Sequence, residues 1–271
     1  MRINLAIIIL LFLTSISRSQ FKQQDQVHFH MIMDHQTIEP GKSFRIGMIF
    51  DISPGWHIYW TNPGDAGLAT SVKLHVPPGF KVGKVVFPVP TQFPMPGGII
   101  CYGYNTQLML IAQVTPPDDL KARQQIPITA ETDFLVCERI CIGGKQSTSE
   151  IYTAAKGSGP RNVELFDHWQ SLIPTPADQS PFVQSVSNDD NSVMIIWQNP
   201  VTDVTFFPGT SDAMSIGNIT VLNRESHTQI LFVPKYYDKT KLALVSCVAG
   251  FIDPQGVHRA VEFPVSFKGN N

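Results

Sequence analysis

Val27-His28-Phe29-His30-Met31-Ile32-Met33, the turn Glu39-Pro40-Gly41-Lys42, and Phe44-Arg45-Ile46-Gly47-Met48-Ile49-Phe50 decide the fold class of this chain. In the first run Val27, Phe29, Met31 and Met33 occupy every second position, and in the last Phe44, Ile46, Met48 and Phe50 do the same. Side chains of an extended chain point alternately to opposite sides, so an apolar residue at every second position marks a strand that buries one face. Pro-Gly between two such runs turns the chain back on itself. Two antiparallel strands are predicted.

The same punctuation continues on both sides of this unit. Trp56-His57-Ile58-Tyr59-Trp60 places Trp56, Ile58 and Trp60 on one face and His57 and Tyr59 on the other. Asn62-Pro63-Gly64-Asp65-Ala66-Gly67 reads as a loop, and Val72, Leu74 and Val76 as another strand. Residues 87–98 carry Pro88, Pro90, Pro94 and Pro96, which predicts an extended loop or ragged edge. Strands resume at 108–114 and 126–134. Beyond Ala154 a Gly/Ser/Pro linker and a short helix through Val163, Phe166, Trp169 and Leu172 precede a second set of strands at 182–187, 193–197, 204–207, 219–222, 229–233, 242–249 and 261–267. The layout is all-β, two tandem sandwich domains joined by a linker with a short helix.

Composition narrows the function classes. Net charge is −2 and only 15% of residues are charged, without a basic stripe, so nucleic acid is not an expected partner. Met1, Arg2 and Asn4 precede the apolar run 5–13, and Ser17-Arg18-Ser19 offers small residues for cleavage before Gln20, the pattern of a signal peptide. That run is too short to span a bilayer, and no later stretch approaches the roughly 20 apolar residues a membrane helix needs. An exported protein without membrane insertion is expected, in a compartment where disulfides form.

Cys137-Glu138-Arg139-Ile140-Cys141 is the chemical signature of the chain. A disulfide closing about five residues restrains the unfolded state by only about 2 kcal/mol, against nearly 5 for a loop of about a hundred. In one extended strand residues four apart lie roughly 13 Å from each other, beyond disulfide reach, so the segment must turn, either between two strands or as one helical turn. The residues alone leave a structural clamp and a redox pair both open. Structural zinc wants four ligands, and no second pair lies near. Cys101 and Cys247 are isolated, and four cysteines allow three pairings.

Three blocks in this order, 55–67, Tyr102-Gly103-Tyr104, and Leu135-Val136-Cys137 with Cys141-Ile142, resemble the N-terminal periplasmic domain of the DsbD/ScsB thiol:disulfide interchange proteins. The resemblance is strong over 27–153, and the remainder resembles the second immunoglobulin-like domain of the ScsB branch. It implies a signal peptide at 1–19, an immunoglobulin-like redox domain at 20–155, a linker with a short helix at 156–180 and a second immunoglobulin-like domain at 181–271. It also implies that Cys137 and Cys141 relay electrons between a membrane conduit and soluble periplasmic thioredoxin-fold proteins, without a cofactor. Cys141 matches the cysteine that forms mixed disulfides, His57 and Tyr59 match residues lining the sulfurs, and 97–104, with Cys101, Tyr102 and Tyr104, matches a loop that caps them. The family's transmembrane conduit and thioredoxin domain have no counterpart before Asn271, so the expected electron donor is a separate membrane protein. Cys101 stands where a capping apolar or aromatic residue is expected, which leaves it either an accident of packing or a third exchanging thiol.

Plainer readings stand beside these. Arg139 would favour a thiolate nearby and Glu138 would oppose it. The His/Met run at 28–35 invites a copper reading, but alternation separates His28 and His30 from Met31 and Met33, and no metal is expected. His57 can be a solvated strand histidine, Tyr59, Tyr102 and Tyr104 can be packing aromatics, and Cys247 with Phe206-Phe207-Pro208 reads as packing. The competing function is an exported immunoglobulin-like adaptor whose Cys137–Cys141 bond is merely structural.

Overall fold

A computed structural model describes residues 26–238 and 243–267. The expected signal peptide, and the first residue of the strand expected at 242–249, lie outside the described residues. Ten strands form the first sandwich: β1 (Val27–Met33), β2 (Phe44–Ile52), β3 (His57–Gly64), β4 (Ser71–His75), β5 (Lys81–Val82), β6 (Thr91–Met95), β7 (Ile99–Tyr104), β8 (Gln107–Thr115), β9 (Gln125–Cys137) and β10 (Cys141–Thr153). One sheet has the order β1-β2-β8-β5 and the other β10-β9-β3-β7-β6, with β4 also paired to β9. The alternating residues of β1 and β2 meet Ile58 and Trp60 of β3, Tyr102 and Tyr104 of β7, and Ile126, Ile128, Phe134 and Val136 of β9 in one core between the sheets. Each such side chain, fully buried, contributes about 1.5–3 kcal/mol. Met31 and Met33 lie in this core, while His28 and His30 are on the other face of β1, as alternation requires.

Three features refine the sequence reading. β3 continues through Asn62 and Pro63 before Gly64, at φ 84°, turns the chain. Of the two readings of 87–98, extended loop or ragged edge, residues 91–95 take the second and form edge strand β6; Pro94 is tolerated there because a missing donor at a sheet edge breaks no ladder. Gly97 and Gly98 both have positive φ and close a β6–β7 hairpin, a conformation that glycine adopts without steric cost. Most of the expected capping segment 97–104 is therefore strand β7, not an irregular loop.

Strand β10 carries no apolar alternation because it is an edge strand whose side chains are mostly exposed. Two residues bind it into the sandwich. Gly144 lies opposite Phe134, whose ring covers the place a side chain would occupy. Gln146 accepts a hydrogen bond from the Phe29 N–H (3.0 Å) and donates to the Val27 carbonyl (2.7 Å), occupying part of the free edge of β1 as a strand would.

Helix α1 (Val163–Ser171) buries Phe166 and Trp169 against Ile49, Met109 and Ile111 on the outer face of the first sheet. This explains why β2 is buried on both faces. The connection between the sandwiches is thus packed rather than free. The second sandwich pairs the sheet β11 (Thr175–Pro176), β18 (His258–Phe267), β17 (Ala243–Ile252), β14 (Thr202–Phe207) with the sheet β12 (Val183–Asn188), β13 (Ser192–Trp197), β16 (His227–Tyr236), β15 (Met214–Asn223). Its core gathers Ile195, Trp197, Phe206, Phe232, Phe251, Phe263 and the free Cys247. Burial pushes the Cys247 thiol up to about 12, as befits a packing residue.

Candidate redox site

Strands β9 and β10 are one long hairpin whose last pair is Cys137 opposite Cys141, and these two are joined by a disulfide. The required turn is residues 138–140, where the Glu138 N–H donates to the Ile140 carbonyl at 3.2 Å. On the other side of β9, Cys137 lies opposite His57 of β3. Alternation then sorts the neighbourhood. Ile58, Tyr104 and Val136 turn into the core, while His57, Tyr59, Cys101 and Cys137 share the outer face of the sheet.

The two sulfurs differ sharply in access. Cys137 is 1% exposed, in a cluster with Tyr59 and Cys101 against which Phe93, Met95 and Leu135 pack, whereas Cys141 is exposed at the start of β10. The Tyr59 hydroxyl lies 3.9 Å from Cys141 Sγ and 3.3 Å from His57 Nε2, so a polar chain runs from the imidazole through the phenol to the accessible sulfur. Gly67, at φ 111°, lies against the Tyr59 ring, and a Cβ there would run into it. The His57 ring stacks on Phe93, with centroids 5.1 Å apart and planes 18° from parallel.

Burial governs the electrostatics. Desolvation raises the Tyr59 hydroxyl above its ordinary value, and a neighbouring Cys101 adds to the rise, so the phenol keeps its proton and can donate to sulfur. Desolvation likewise raises the Cys101 thiol, which donates to the Ala66 carbonyl at 3.4 Å. For His57 desolvation lowers the value, because burial disfavours the charged imidazolium. The unfolded chain then takes up a proton near pH 6.5 that folded His57 still refuses, so stability is lost as pH falls from that point through the lower folded value. The urea midpoint of the wild type should drop as pH falls below about 6.5, and His57→Gln should flatten that slope; an unchanged slope would contradict the buried, neutral assignment.

Some expected site residues fall elsewhere. Tyr102 points to the core side, edge-to-face with Phe207 at 5.5 Å, and its hydroxyl is pushed up to about 12, chiefly by burial. Tyr104 is also inward and donates to the Pro88 carbonyl at 2.8 Å. Neither lines the sulfurs, since both have the strand parity opposite to Cys101. Arg139 is exposed in the turn. Cys101 belongs to the cluster around Cys137, but β3 stands between β7 and β9, and two strand spacings place it about 10 Å away sideways, beyond the roughly 7 Å limit for a disulfide. Cys101 is 1% exposed and packs with Tyr59 and Cys137, and the disulfide leaves it a free thiol. Phe93 and Met95, which do cover the site, were hidden in the sequence by the prolines around them.

An all-β sandwich with a disulfide across the end of a hairpin, one sulfur buried and the other exposed beside a tyrosine, defines an immunoglobulin-like domain with a cysteine-pair site rather than a thioredoxin fold. Residues 20–152, just under half of the chain, match the family described as thiol:disulfide interchange protein DsbD, N-terminal. The N-terminal periplasmic domain of ScsB from Proteus mirabilis has the same fold, with a TM-score of 0.62 at 14% identity over 92% of this chain and 96% of that one. The DsbD N-terminal domain of Neisseria meningitidis, in the reduced form, aligns over 49% of this chain and 90% of its own, at 10% identity and a TM-score of 0.29. No curated protein matches the chain. Family and disulfide together support thiol:disulfide exchange as the chemistry of the pair. Among the described residues no helix is long and apolar enough to cross a membrane.

Proposed function

We propose that the chain is a periplasmic thiol:disulfide oxidoreductase module, exported by residues 1–19, in which Cys137 and Cys141 relay electron pairs from a separate membrane donor to soluble thioredoxin-fold proteins. The redox domain spans 20–155, followed by the linker at 156–180 and a second domain at 181–271. The observation that carries the reading is the asymmetry of the pair: Cys141 exposed beside a phenolic donor, Cys137 buried behind it.

The chemistry follows from that asymmetry. In the dithiol form the Cys141 thiolate, accepting a hydrogen bond from Tyr59, attacks one sulfur of a partner disulfide, and the partner's other sulfur leaves as a thiolate. Cys137 then gives up its proton and attacks Cys141 Sγ, breaking the mixed disulfide. The partner departs as a dithiol with two electrons, and the Cys137–Cys141 bond is re-formed. A donor dithiol reverses the sequence by attacking Cys141, the sulfur it can reach. His57 and Tyr59 position and polarise the attacked sulfur, while Phe93 and Met95 keep solvent from Cys137. No bound cofactor is needed, because the disulfide is itself the electron carrier.

Mixing the reduced protein with an oxidised thioredoxin-fold protein should transfer one dithiol equivalent per chain, read as paired loss and gain of alkylatable thiols. Transfer that persists in a variant lacking both Cys137 and Cys141 would contradict the assignment, as would none in the wild type.

A further inference from the structure

The second sandwich reaches into the first at one place. Phe207, at the end of β14, is 2% exposed and belongs to the core of the first sandwich, as do Val248 and Ala260. Its ring meets Tyr102 edge-on at 5.5 Å and Trp60 at 6.2 Å. Beside it the Asn62 amide donates to the Pro208 carbonyl at 2.7 Å, and the Gln92 amide donates to the Phe206 carbonyl at 3.4 Å. Trp60 and Asn62 are on β3, Gln92 on β6 and Tyr102 on β7. These three strands carry, on their opposite face, His57 and Tyr59, then Phe93 and Met95, then Cys101.

Alternate side chains of a strand are fixed to one backbone, so gripping the inner set fixes the outer set. The grip matters most for β6, an edge strand that carries Pro94 and, among the described residues, pairs only with β7. We propose that the second domain is a brace: Phe207 and the backbone beside it hold the β6–β7 hairpin in the position that shields Cys137, so that only Cys141 meets a partner. Phe207 is thus a positioning residue for the exchange. The brace resolves a conflict in the chemistry, because a shielded Cys137 cannot be captured by stray thiols but still lies beside Cys141 to resolve the mixed disulfide.

The proposal rests on the reading of Cys141 as the attacking thiol, yet its test needs no protein partner. The reduced full-length protein is treated with iodoacetamide, and labelling of each cysteine peptide is followed by mass spectrometry. Wild type should label Cys141 first and Cys137 at least about tenfold more slowly. Phe207→Leu should raise Cys137 labelling by about tenfold while leaving Cys141 unchanged, as expected of a local opening. Cys247, in the core of the second sandwich, reports unfolding and should stay unlabelled. Unchanged Cys137 labelling in Phe207→Leu overturns the brace. Should Cys247 label as well, the decision passes to Gln92→Ala, which removes one part-buried amide contact with the second domain. About twofold faster Cys137 labelling there, with Cys247 silent, supports the brace, and no change contradicts it.

Discussion

Cys137→Ser should turn the protein into a trap for its partners. Cys141 remains exposed and beside Tyr59, able to attack a disulfide, but the sulfur that would resolve the product is gone. Mixed disulfides with thioredoxin-fold proteins should then accumulate as species that a reductant dissolves. In Cys141→Ser the remaining thiol is Cys137, 1% exposed and packed beneath Phe93, Met95 and Leu135. A nucleophile must reach the sulfur it attacks, so this variant should accumulate at least about tenfold less of the same species. Non-reducing electrophoresis of both variants with an oxidised thioredoxin-fold protein reads the difference. Equal trapping would remove the division of labour between the two sulfurs.

The asymmetry behind that prediction was only partly legible in the sequence. Alternation at Trp56-His57-Ile58-Tyr59-Trp60 separated the residues of the site from those of the core, because a half-buried strand writes its two faces into its sequence. The same rule, applied to Cys101-Tyr102-Gly103-Tyr104, would have sent Tyr102 and Tyr104 inward, but it applies only to a strand. The prolines and glycines before that segment made it look like a loop. Strand β10 was missed for the opposite reason, since an exposed edge needs no apolar pattern. The cover over Cys137 comes from Phe93 and Met95, two ordinary apolar residues whose role depends on a hairpin register. The entry of Phe207 into the core of the first sandwich is a long-range fact that no local pattern carries.

The second large effect expected is on reduction, where the disulfide should open readily while the fold persists. Its ring closes about five residues and restrains the unfolded chain by only about 2 kcal/mol. Strands β9 and β10 are paired along their whole length without it, and the core beneath holds many side chains worth about 1.5–3 kcal/mol each. By linkage, a bond that stabilises the fold so little is stabilised equally little by the fold. It should therefore not share the resistance of a structural disulfide, whose potential lies below about −300 mV. Reduced and oxidised protein should show the same strand content and denaturant midpoints that differ by no more than about 2 kcal/mol of stability.

The most direct test of the exchange reading is the reduction midpoint of Cys137–Cys141, measured by equilibrating the full-length protein in thiol buffers of graded potential and quantifying the alkylated pair. A reversible, two-electron transition is expected between about −270 and −120 mV, the span of thioredoxin-fold exchange proteins. A midpoint below about −300 mV, or reduction only after unfolding, would contradict it and leave the bond a structural clamp.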